Sequence, residues 1–394
     1  MTTRRPTIAK FTRREFEDRA ERARRLMTGA RLDGLLLTSE SNLEYLSGFT
    51  TQFAWNSPTR PWYFLLPRVG PPLAVIPEIG ESNWRATSWV ANIQTWPSPR
   101  PKNEGLDLLR GAIGKMRRRY GRIGFELGPE TRIGMPVADL LRLRRTIRRF
   151  TMVDGASVMR ELRLVKSPAE VARIRQICQI VSDSFDALPG MVQPGDSERD
   201  VVGKFQADIL LRGAEKTPYT AIGSGRGGYH SIIMGPTDRK LREGDVFLID
   251  TGSRLGGYFC DFNRNIAIGP PTDAVKRAQD TLTLATDAGI RAIRPGNRAS
   301  DLFAAQARVL EEAGYTIGNV GRFGHGLGKV MTEPPSNRAD DPTELVPGMV
   351  LTIEPSLRFG RGKIHVHEEN AVVTETGCRL LSRRAPRAMP IVRF

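Results

Sequence analysis

Two segments of the sequence place acidic residues at mirrored positions around a glycine-containing turn, within otherwise apolar strands. In the first segment, the runs 245–250 and 258–267 predict two strands joined by a turn. Folding this hairpin about Leu255–Gly256 places Asp250 opposite Asp261. Directly opposed residues have Cβ atoms about 5 Å apart. Because two carboxylates at that distance repel each other unless a cation lies between them, this spacing constrains the fold strongly.

The second segment repeats this acidic pattern. The runs 350–354 and 364–374 predict strands on either side of a turn whose midpoint is Arg361, and this places Glu354 opposite Glu368. Taken singly, each carboxylate would be interpreted as an ordinary surface residue of a hairpin. Two hairpins with the same pattern favour a shared metal site over that alternative.

A histidine in a glycine-rich loop lies between the two hairpins in the sequence. This residue is His325, in the run Gly-His-Gly-Leu-Gly at 324–328. With four carboxylates it makes an oxygen-rich donor set with one nitrogen, which suits a pair of Mn²⁺, Co²⁺, Fe²⁺ or Zn²⁺ ions. Two ions about 3.5–4 Å apart can activate a water molecule and polarise a scissile carbonyl group. The candidate metal ligands are therefore Asp250, Asp261, His325, Glu354 and Glu368.

Helix-capping signals divide the chain into two predicted domains. Thr12 begins a helix whose apolar residues recur at helical spacing, and the apolar runs that follow alternate between strand and helix, as in an α/β domain. The run Ser-Pro-Ala-Glu at 167–170 is a second capping signal and begins a new unit. We therefore predict domains over residues 1–162 and 163–394.

The charge of the chain is uneven. The 394 residues include 59 Lys and Arg against 43 Asp and Glu, a net charge of +16. Residues 1–160 hold 28 basic and 15 acidic side chains, so most of the excess lies in the first domain. A basic surface attracts phosphates. However, the runs 117–119 and 142–149 lie in helix-like stretches without interleaved aromatic residues, so solvated helical faces are favoured over a nucleic-acid partner.

Cysteine content and hydropathy indicate a cellular compartment. The three cysteines are far apart in sequence, which excludes a disulfide scaffold and fits a reducing environment. No stretch approaches the roughly 18 apolar residues of a membrane helix. The charged N-terminal segment has no apolar core of a secretory signal. These features predict a cytoplasmic protein without a membrane partner.

A glycine-rich run at 223–228 has the spacing of a dinucleotide-binding motif. The residues that follow do not open a helix, so we interpret the run as a pocket-lining loop instead. Three aromatic residues are candidate pocket walls, although such residues more often belong to a core. They are Trp55, Tyr229 and Tyr258.

Taken together, these motifs resemble those of the pita-bread metallopeptidases, which include methionine aminopeptidase, aminopeptidase P, prolidase and the metal-free relative creatinase. The resemblance covers most of residues 160–394, and the segment 41–49 is similar to the creatinase/prolidase N-terminal domain. It implies an N-terminal creatinase-like α/β domain followed by a C-terminal pita-bread domain of the α+β type. The C-terminal motifs lie at 248–252, 257–264, 324–328, 352–355 and 368–374.

The resemblance also implies roles for the candidate ligands. Asp261 and Glu368 would bridge two divalent ions, manganese being the first expectation, while His325 and Glu354 would bind one ion. Glu354 would also be the general base that takes the proton of the attacking water. A homodimer and a small-molecule or short-peptide substrate are further implications of the resemblance.

Three substrate-facing positions depart from the proline-specific members of that family. Ile233 and Thr332 replace two histidines, and Val366 replaces an arginine found in many prolidases. Residues at such positions bind substrate and stabilise the tetrahedral oxyanion. His230 is a candidate catalytic replacement if a bulge brings it into the site. The candidate substrate-binding residues are Tyr229, Thr332 and His367, the last of which has a structural role as its alternative.

The function predicted from these features is hydrolysis of small peptides or peptide-like amides by a dinuclear-metal enzyme that resembles Xaa-Pro dipeptidase. A second hypothesis keeps the metal site and changes the chemistry, as in ectoine hydrolase or in an iron-dependent lyase that acts on dimethylsulfoniopropionate. A third hypothesis is a non-catalytic binding protein, against which the five intact ligands argue.

Overall fold

In the computed structural model, two compact units account for the described residues, which are 10–51, 60–317 and 321–393. One unit comprises residues 10–163 and the other residues 164–393. The candidate pocket wall Trp55 lies outside the described residues. Among the helices of the described ranges, none combines the length and apolar character needed to cross a membrane.

The first unit is a six-stranded mixed sheet with helices on both faces. Its strands run in the order β4-β3-β2-β1-β5-β6, with β2 antiparallel to both of its neighbours. The strands are β1 (Gly34–Leu37), β2 (Tyr63–Pro67), β3 (Leu73–Pro77), β4 (Ile93–Trp96), β5 (Arg122–Phe125) and β6 (Thr151–Asp154). The helices are α1 (Arg13–Gly29), α2 (Glu40–Ser47), α3 (Glu81–Thr87), α4 (Leu106–Lys115), α5 (Val137–Thr146) and α6 (Ala156–Leu164), with a short 3-10 helix at Glu78–Gly80.

Alternate residues of the central strands feed two separate cores. In β1, Leu35 and Leu37 pack with Ala23 of α1, whereas Leu36 packs with Leu109 of α4 on the other face. This division follows from the two-residue side-chain period of a strand, and it explains why β1 is buried along its whole length. The predicted α/β layering is confirmed.

The basic runs of this unit differ in structure from one another. Arg142 lies on α5, as the sequence pattern predicts, but the helical interpretation is wrong for residues 117–119, which lie in the loop between α4 and β5. The chain turns there because the buried carboxylate of Asp33 accepts hydrogen bonds from the backbone N–H groups of residues 119–121, at 2.7–3.0 Å. This contact competes with helix continuation by offering the backbone a different partner.

The second unit contains two five-stranded sheets, a two-stranded ribbon and four helices in its described part. The sheet orders are β18-β10-β8-β7, with β9 paired to β8, and β12-β11-β13-β16-β17, while β14 pairs with β15. The helices are α7 (Pro168–Met191), α8 (Glu198–Leu211), α9 (Asp273–Ala292) and α10 (Ala299–Glu312). The strands are β7 (Lys216–Arg226), β8 (Asp245–Leu255), β9 (Tyr258–Phe259), β10 (Phe262–Ile268), β11 (His325–Gly326), β12 (Glu333–Ser336), β13 (Val350–Ile353), β14 (Ser356–Phe359), β15 (Lys363–Val366), β16 (Glu369–Val373), β17 (Cys378–Leu380) and β18 (Ile391–Val392).

Helix α7 begins at the predicted capping box. The Ser167 hydroxyl accepts from the Glu170 N–H at 3.3 Å, and the Glu170 carboxylate accepts from the Ser167 N–H at 2.9 Å. Pro168 occupies the first helical position, where its missing N–H costs nothing. The helix start is thus encoded locally.

The register predicted for the first hairpin is wrong by two residues. Gly256 and Gly257, with φ of 57° and 78°, form the two-residue turn, so the hairpin folds between them. Asp250 therefore pairs with Asn263 rather than with Asp261. Asp261 instead lies in the short interruption between β9 and β10. A shift of two residues preserves the face of a strand, so both carboxylates still point to the same side.

The register predicted for the second hairpin is correct. Strand β13 pairs with β16 such that Ile353 lies opposite Glu369, and the next positions outward are Glu354 and Glu368. Beyond them the hairpin continues as the β14–β15 ribbon, so the two glutamates occupy the break between ribbon and sheet.

Candidate metal centre

Four of the five candidate ligands lie at strand ends or strand interruptions of the second unit, and the fifth, Asp250, lies within a strand that is paired on both sides. Asp250 lies within β8, Asp261 between β9 and β10, His325 at the start of β11, Glu354 directly after β13 and Glu368 directly before β16.

Two glycines explain how the histidine reaches this position. A Cβ atom on Gly324 would lie 2.2 Å from the Thr352 carbonyl oxygen, and one on Gly326 would lie 2.1 Å from the Pro334 carbonyl oxygen. Only glycine fits between these neighbouring strands. The His325 N–H in turn donates to the Thr352 hydroxyl at 3.1 Å, which ties the residue to β13.

Three of the five side chains meet closely. One ligand atom from each of Asp261, His325 and Glu368 lies within 4.8 Å of the others, and all three residues are buried. The His325 Nδ1–H donates to the Gly326 carbonyl oxygen at 2.9 Å, so the lone pair of Nε2 lies 3.5 Å from the Asp261 carboxylate. Burial lowers the pKa of His325 to about 4, so the ring is neutral near pH 7. A lone pair facing a carboxylate is repulsive unless a cation lies between them.

The carboxylates of this cluster are strongly perturbed. Burial raises the pKa of Asp250 to about 7, and burial together with the nearby charge of Asp250 raises the pKa of Glu354 to about 8. Burial and the neighbouring carboxylates also raise the pKa values of Asp261 and Glu368 well above their usual range. Packing four acids together in this way is unfavourable for the protein alone, because each charge disfavours the others.

The residues present fit a pair of divalent ions. Asp250 Oδ1 and Glu368 Oε1 are buried, and neither atom has a hydrogen-bond partner among the residues that the structure describes. A buried oxygen without a partner is costly, and a bound cation removes that cost. These two oxygens, together with the Nε2 lone pair of His325, provide the acceptors that such ions require.

Three neighbouring residues contribute to the site and were missed by the sequence reasoning. The Tyr219 hydroxyl lies 3.4 Å from Asp250 Oδ2, and the Asn263 amide donates to Glu368 Oε2 at 3.3 Å. Burial dominates the raised pKa values of Asp261 and Glu354, and the positive charge of Arg322 opposes the rise at both. Asn263 and Arg322 lie two and three residues from a ligand, so sequence proximity was a usable signal for them. Tyr219 comes from β7, and only the sheet brings it to the site.

Two of the candidate substrate-binding residues form hydrogen bonds within the chain. Tyr229 is buried in an apolar core, where its hydroxyl donates to Asn265 at 2.9 Å and accepts from the Val366 N–H at 3.2 Å. The Thr286 hydroxyl donates to a carbonyl of α9, so the His367 Nδ1–H donates to that hydroxyl at 2.9 Å. Both rings are held by hydrogen bonds within the chain, and their contact with substrate stays a prediction.

The remaining candidates lie at more accessible positions. His230 is exposed, and its ring contacts the Gly362 carbonyl oxygen at 3.1 Å, which assigns it to the ribbon turn rather than to the carboxylates. Its catalytic role stays a prediction. Thr332 is half-buried immediately before β12, and Ile233 is 79% exposed. Thr332 stays a candidate for contact with substrate.

The glycine-rich run 223–228 belongs to the end of β7 and the turn after it. A Cβ atom on Gly223 would lie 2.6 Å from the Ser231 carbonyl oxygen and against the ring of Tyr229, so the glycine permits the returning chain to pack on the strand. No helix follows the run, and the dinucleotide alternative is excluded by this geometry.

The comparisons with known proteins are consistent with this geometry. Residues 172–376 match the model of metallopeptidase family M24, and residues 19–165 match that of the creatinase/prolidase N-terminal domain. The chain belongs to metallopeptidase family M24. It is therefore a hydrolase, which replaces the hypothesis of a non-catalytic binding protein, and its family implies divalent metal ions.

Individual relatives agree with this assignment. The probable dipeptidase PepE of Mycobacterium tuberculosis is 30% identical over 363 residues, which cover 88% of this chain and 89% of the relative. The Xaa-Pro dipeptidase of Pyrococcus furiosus is 27% identical over 261 residues, which cover 65% of this chain and 73% of the relative. The relatives support a peptidase function for the M24 chain.

Solved structures show the same fold. The dipeptidase PepE from Mycobacterium ulcerans superimposes with a TM-score of 0.84 at 27% identity, covering 98% of this chain and 100% of that chain. The prolidase from Pyrococcus horikoshii OT3 superimposes with a TM-score of 0.80 at 23% identity, covering 93% and 99% respectively. The predicted creatinase-like domain followed by a pita-bread domain is confirmed.

Proposed function

We propose that this M24 chain is a dinuclear-metal dipeptidase that hydrolyses the amide bond of short peptides. The observation that carries the proposal is the convergence of Asp261, His325 and Glu368 beside two buried carboxylate oxygens without partners. The names of two relatives, a probable dipeptidase and an Xaa-Pro dipeptidase, support a dipeptide substrate.

The five side chains have distinct roles in this proposal. Asp250, Asp261, His325, Glu354 and Glu368 would hold two ions, with manganese as the first expectation. When bound, the ions would supply Lewis acidity at the scissile carbonyl and lower the pKa of water. Glu354 accepts the proton of the attacking water.

The substrate-facing side of the site is less basic than in the proline-specific enzymes that the sequence resembles. Ile233 is exposed, Thr332 is half-buried, and Val366 is packed in a core behind the ribbon. Arg322 is therefore the cation that we propose for the substrate carboxylate. It lies next to Phe323, whose carbonyl oxygen accepts from the Glu354 N–H at 3.1 Å, and within the described chain its guanidinium forms no ion pair.

A substrate panel tests the proposed function. The Mn²⁺-loaded enzyme would be assayed with Xaa-Pro dipeptides, dipeptides without proline, and tripeptides. The proposal expects hydrolysis of dipeptides over tripeptides, with or without a preference for proline. Activity on ectoine or dimethylsulfoniopropionate, and on none of the peptides, would favour the second hypothesis, which the changed positions Ile233 and Thr332 support.

Arg322→Gln should lower kcat/KM for a dipeptide about 10–100-fold, because a hydrogen bond to a charged group contributes about 1.5–3 kcal/mol. The loss should appear mainly in KM and should be smaller for the same dipeptide with an amidated C-terminus. Steady-state kinetics with both substrates measures this difference. Arg358→Gln, at an exposed position of β14, is the matched control. Equal losses on both substrates would contradict recognition of the carboxylate by Arg322.

A further inference from the structure

The backbone of Asp261 is held by a side chain from the other hairpin. Asp261 lies between the ladders of β9 and β10, so its peptide groups lack a regular strand partner. The amide of Asn370 fills that place: its Oδ1 accepts from the Asp261 N–H at 3.0 Å, and its Nδ2 donates to the Asp261 carbonyl oxygen. Asn370 is fully buried. One side chain thus satisfies both backbone groups of a candidate metal ligand.

The reverse contact also exists. Arg264 extends from the first hairpin, and its guanidinium donates to the Glu368 carbonyl oxygen at 2.9 Å. The same guanidinium donates to the Glu369 carboxylate at 3.0 Å and to the Asn263 carbonyl oxygen at 2.7 Å. Its carbon lies 4.8 Å from the ring centre of Phe262. Arg264 therefore has one orientation in which it can meet all of these partners.

Both bracing side chains are themselves immobilised. The Asn370 N–H donates to the Ser382 hydroxyl at 2.9 Å, and the Cys178 thiol lies 3.3 Å from Asn370 Oδ1. Glu369, which neutralises Arg264, also accepts from Ser382 and from the Ala385 N–H. Such outer contacts restrict rotamers, so the braces hold their position without any ion.

We propose that Asn370 and Arg264 form a reciprocal clamp, in which each hairpin holds the backbone of a candidate ligand from the other hairpin, Asp261 or Glu368, and that this clamp sets the metal affinity of the site. Asp261 and Glu368 repel each other while they are charged and without an ion. The clamp keeps the two carboxylates at the separation that two bound metal ions require. The free-energy cost of bringing them together is therefore met when the chain folds rather than when the metal ions bind. Asn370 and Arg264 are positioning residues in this account, since neither offers an atom to an ion.

The clamp rests on the metal-binding part of the proposed function and is independent of the substrate. Its test is therefore a binding measurement: titration of metal-free protein with Mn²⁺, with free Mn²⁺ read by electron paramagnetic resonance. Asn370→Ala should raise the dissociation constant about 10–100-fold, the range found when partners of metal ligands are removed. Arg264→Lys should also raise it, because an ammonium keeps the charge but cannot reach the Glu368 carbonyl and Glu369 together.

A control separates positioning from stability. Asn42→Ala removes a buried amide of the first unit that bonds to Glu126 and Arg163, so it should lower the melting temperature and leave Mn²⁺ affinity unchanged. Asn370→Asp, which preserves the shape and the bond from the Asp261 N–H, serves if the alanine variant does not fold. Because it retains one of the two hydrogen bonds between residue 370 and the Asp261 backbone, it should raise the dissociation constant for Mn²⁺ less than tenfold.

The double variant supplies a second criterion. If Asn370 and Arg264 both act on the distance between Asp261 and Glu368, their effects should not be independent. The fold-increase in the Mn²⁺ dissociation constant of the double variant Asn370→Ala with Arg264→Lys should then be smaller than the product of the two single increases. Folded variants that bind Mn²⁺ as tightly as the native chain would overturn the clamp alone. A native chain that binds no Mn²⁺ would overturn both the clamp and the proposed function.

Discussion

Replacement of Glu354 by glutamine should lower kcat for the best dipeptide by about 10²–10⁴-fold, the range for loss of a general base. Glutamine keeps the shape of the side chain and one carbonyl-type oxygen but cannot accept the proton of the attacking water. The fold should persist, because burial raises the pKa of Glu354 and so favours its neutral form in the metal-free protein. Steady-state kinetics and thermal unfolding, measured on the same preparation, check both statements.

The control for this variant is a glutamate away from the cluster. Glu311→Gln, at an exposed position of α10, makes the same chemical change and should leave kcat within about twofold, since surface substitutions usually have small effects. A Glu354→Gln enzyme that retains two ions and nearly full kcat would contradict the assignment of Glu354 as the base. If Glu354→Gln bound fewer metal ions but its kcat were otherwise unchanged, Glu354 would be a metal ligand and not the base.

The metal-free protein should lose stability as the pH rises from about 6.5 to 8.5. The pKa of Asp250 is raised to about 7 and that of Glu354 to about 8, whereas the unfolded chain has values of 3.8 and 4.5. In this range the folded state therefore holds protons that the unfolded state has already released. Each such proton lowers the free energy of unfolding by up to about 1.4 kcal/mol per pH unit.

The window for this measurement is set by the buried histidines. Burial lowers the pKa of His325 to about 4 and that of His365 to about 3, so below pH 6.5 they bind protons only when the chain unfolds. Their contribution has the opposite sign there and offsets that of the carboxylates. Above pH 7 the histidines are largely neutral in both states. The carboxylates then dominate, and the buried thiols of Cys178 and Cys260, whose pKa values are also raised by burial, contribute in the same direction near pH 8.5.

Urea unfolding in the presence of a chelator, at several pH values between 6.5 and 8.5, measures how the free energy of unfolding depends on pH. The double variant Asp250→Asn with Glu354→Gln removes two of the titrating groups and should make this pH dependence weaker. Added Mn²⁺ should stabilise the native chain most at the high end of the range, because ion binding requires ionised carboxylates. A metal-free native chain whose stability increases steadily from pH 6.5 to 8.5 would contradict the burial of these acids.

The fold follows from the sequence wherever a signal is local. The capping box at Ser167 and the turn centred on Arg361 each depend on a few neighbouring residues, and both are present as predicted. The register of the first hairpin was mispredicted because the centre was taken at Leu255–Gly256. The pair Gly256–Gly257 with positive φ is the stronger turn signal. The prediction that the two aspartates lie on one face still holds, because a shift of two residues returns a strand to the same face.

The surroundings of the site depend on contacts between distant segments and were not predicted. Asn370 reaches Asp261 across 109 positions, and Arg264 reaches Glu368 across 104. No spacing rule relates such pairs. The sequence does not indicate the partners of Tyr229 either: its hydroxyl accepts from the N–H of Val366, 137 positions away. Residue type indicated the candidate ligands, but only the folded chain shows which side chains contact them.

The most direct measurement of the central claim is the number of ions bound per chain. The protein would be stripped with a chelator, reloaded with Mn²⁺, freed of excess ion and analysed by mass spectrometry of the metal, beside the variant Asp261→Asn. The account predicts about two ions per native chain, as in dinuclear sites, and a clear loss in the variant, which removes the carboxylate nearest to His325. A native chain that retains no Mn²⁺, Co²⁺, Fe²⁺ or Zn²⁺, or a variant that retains as many ions as the native chain, would contradict it.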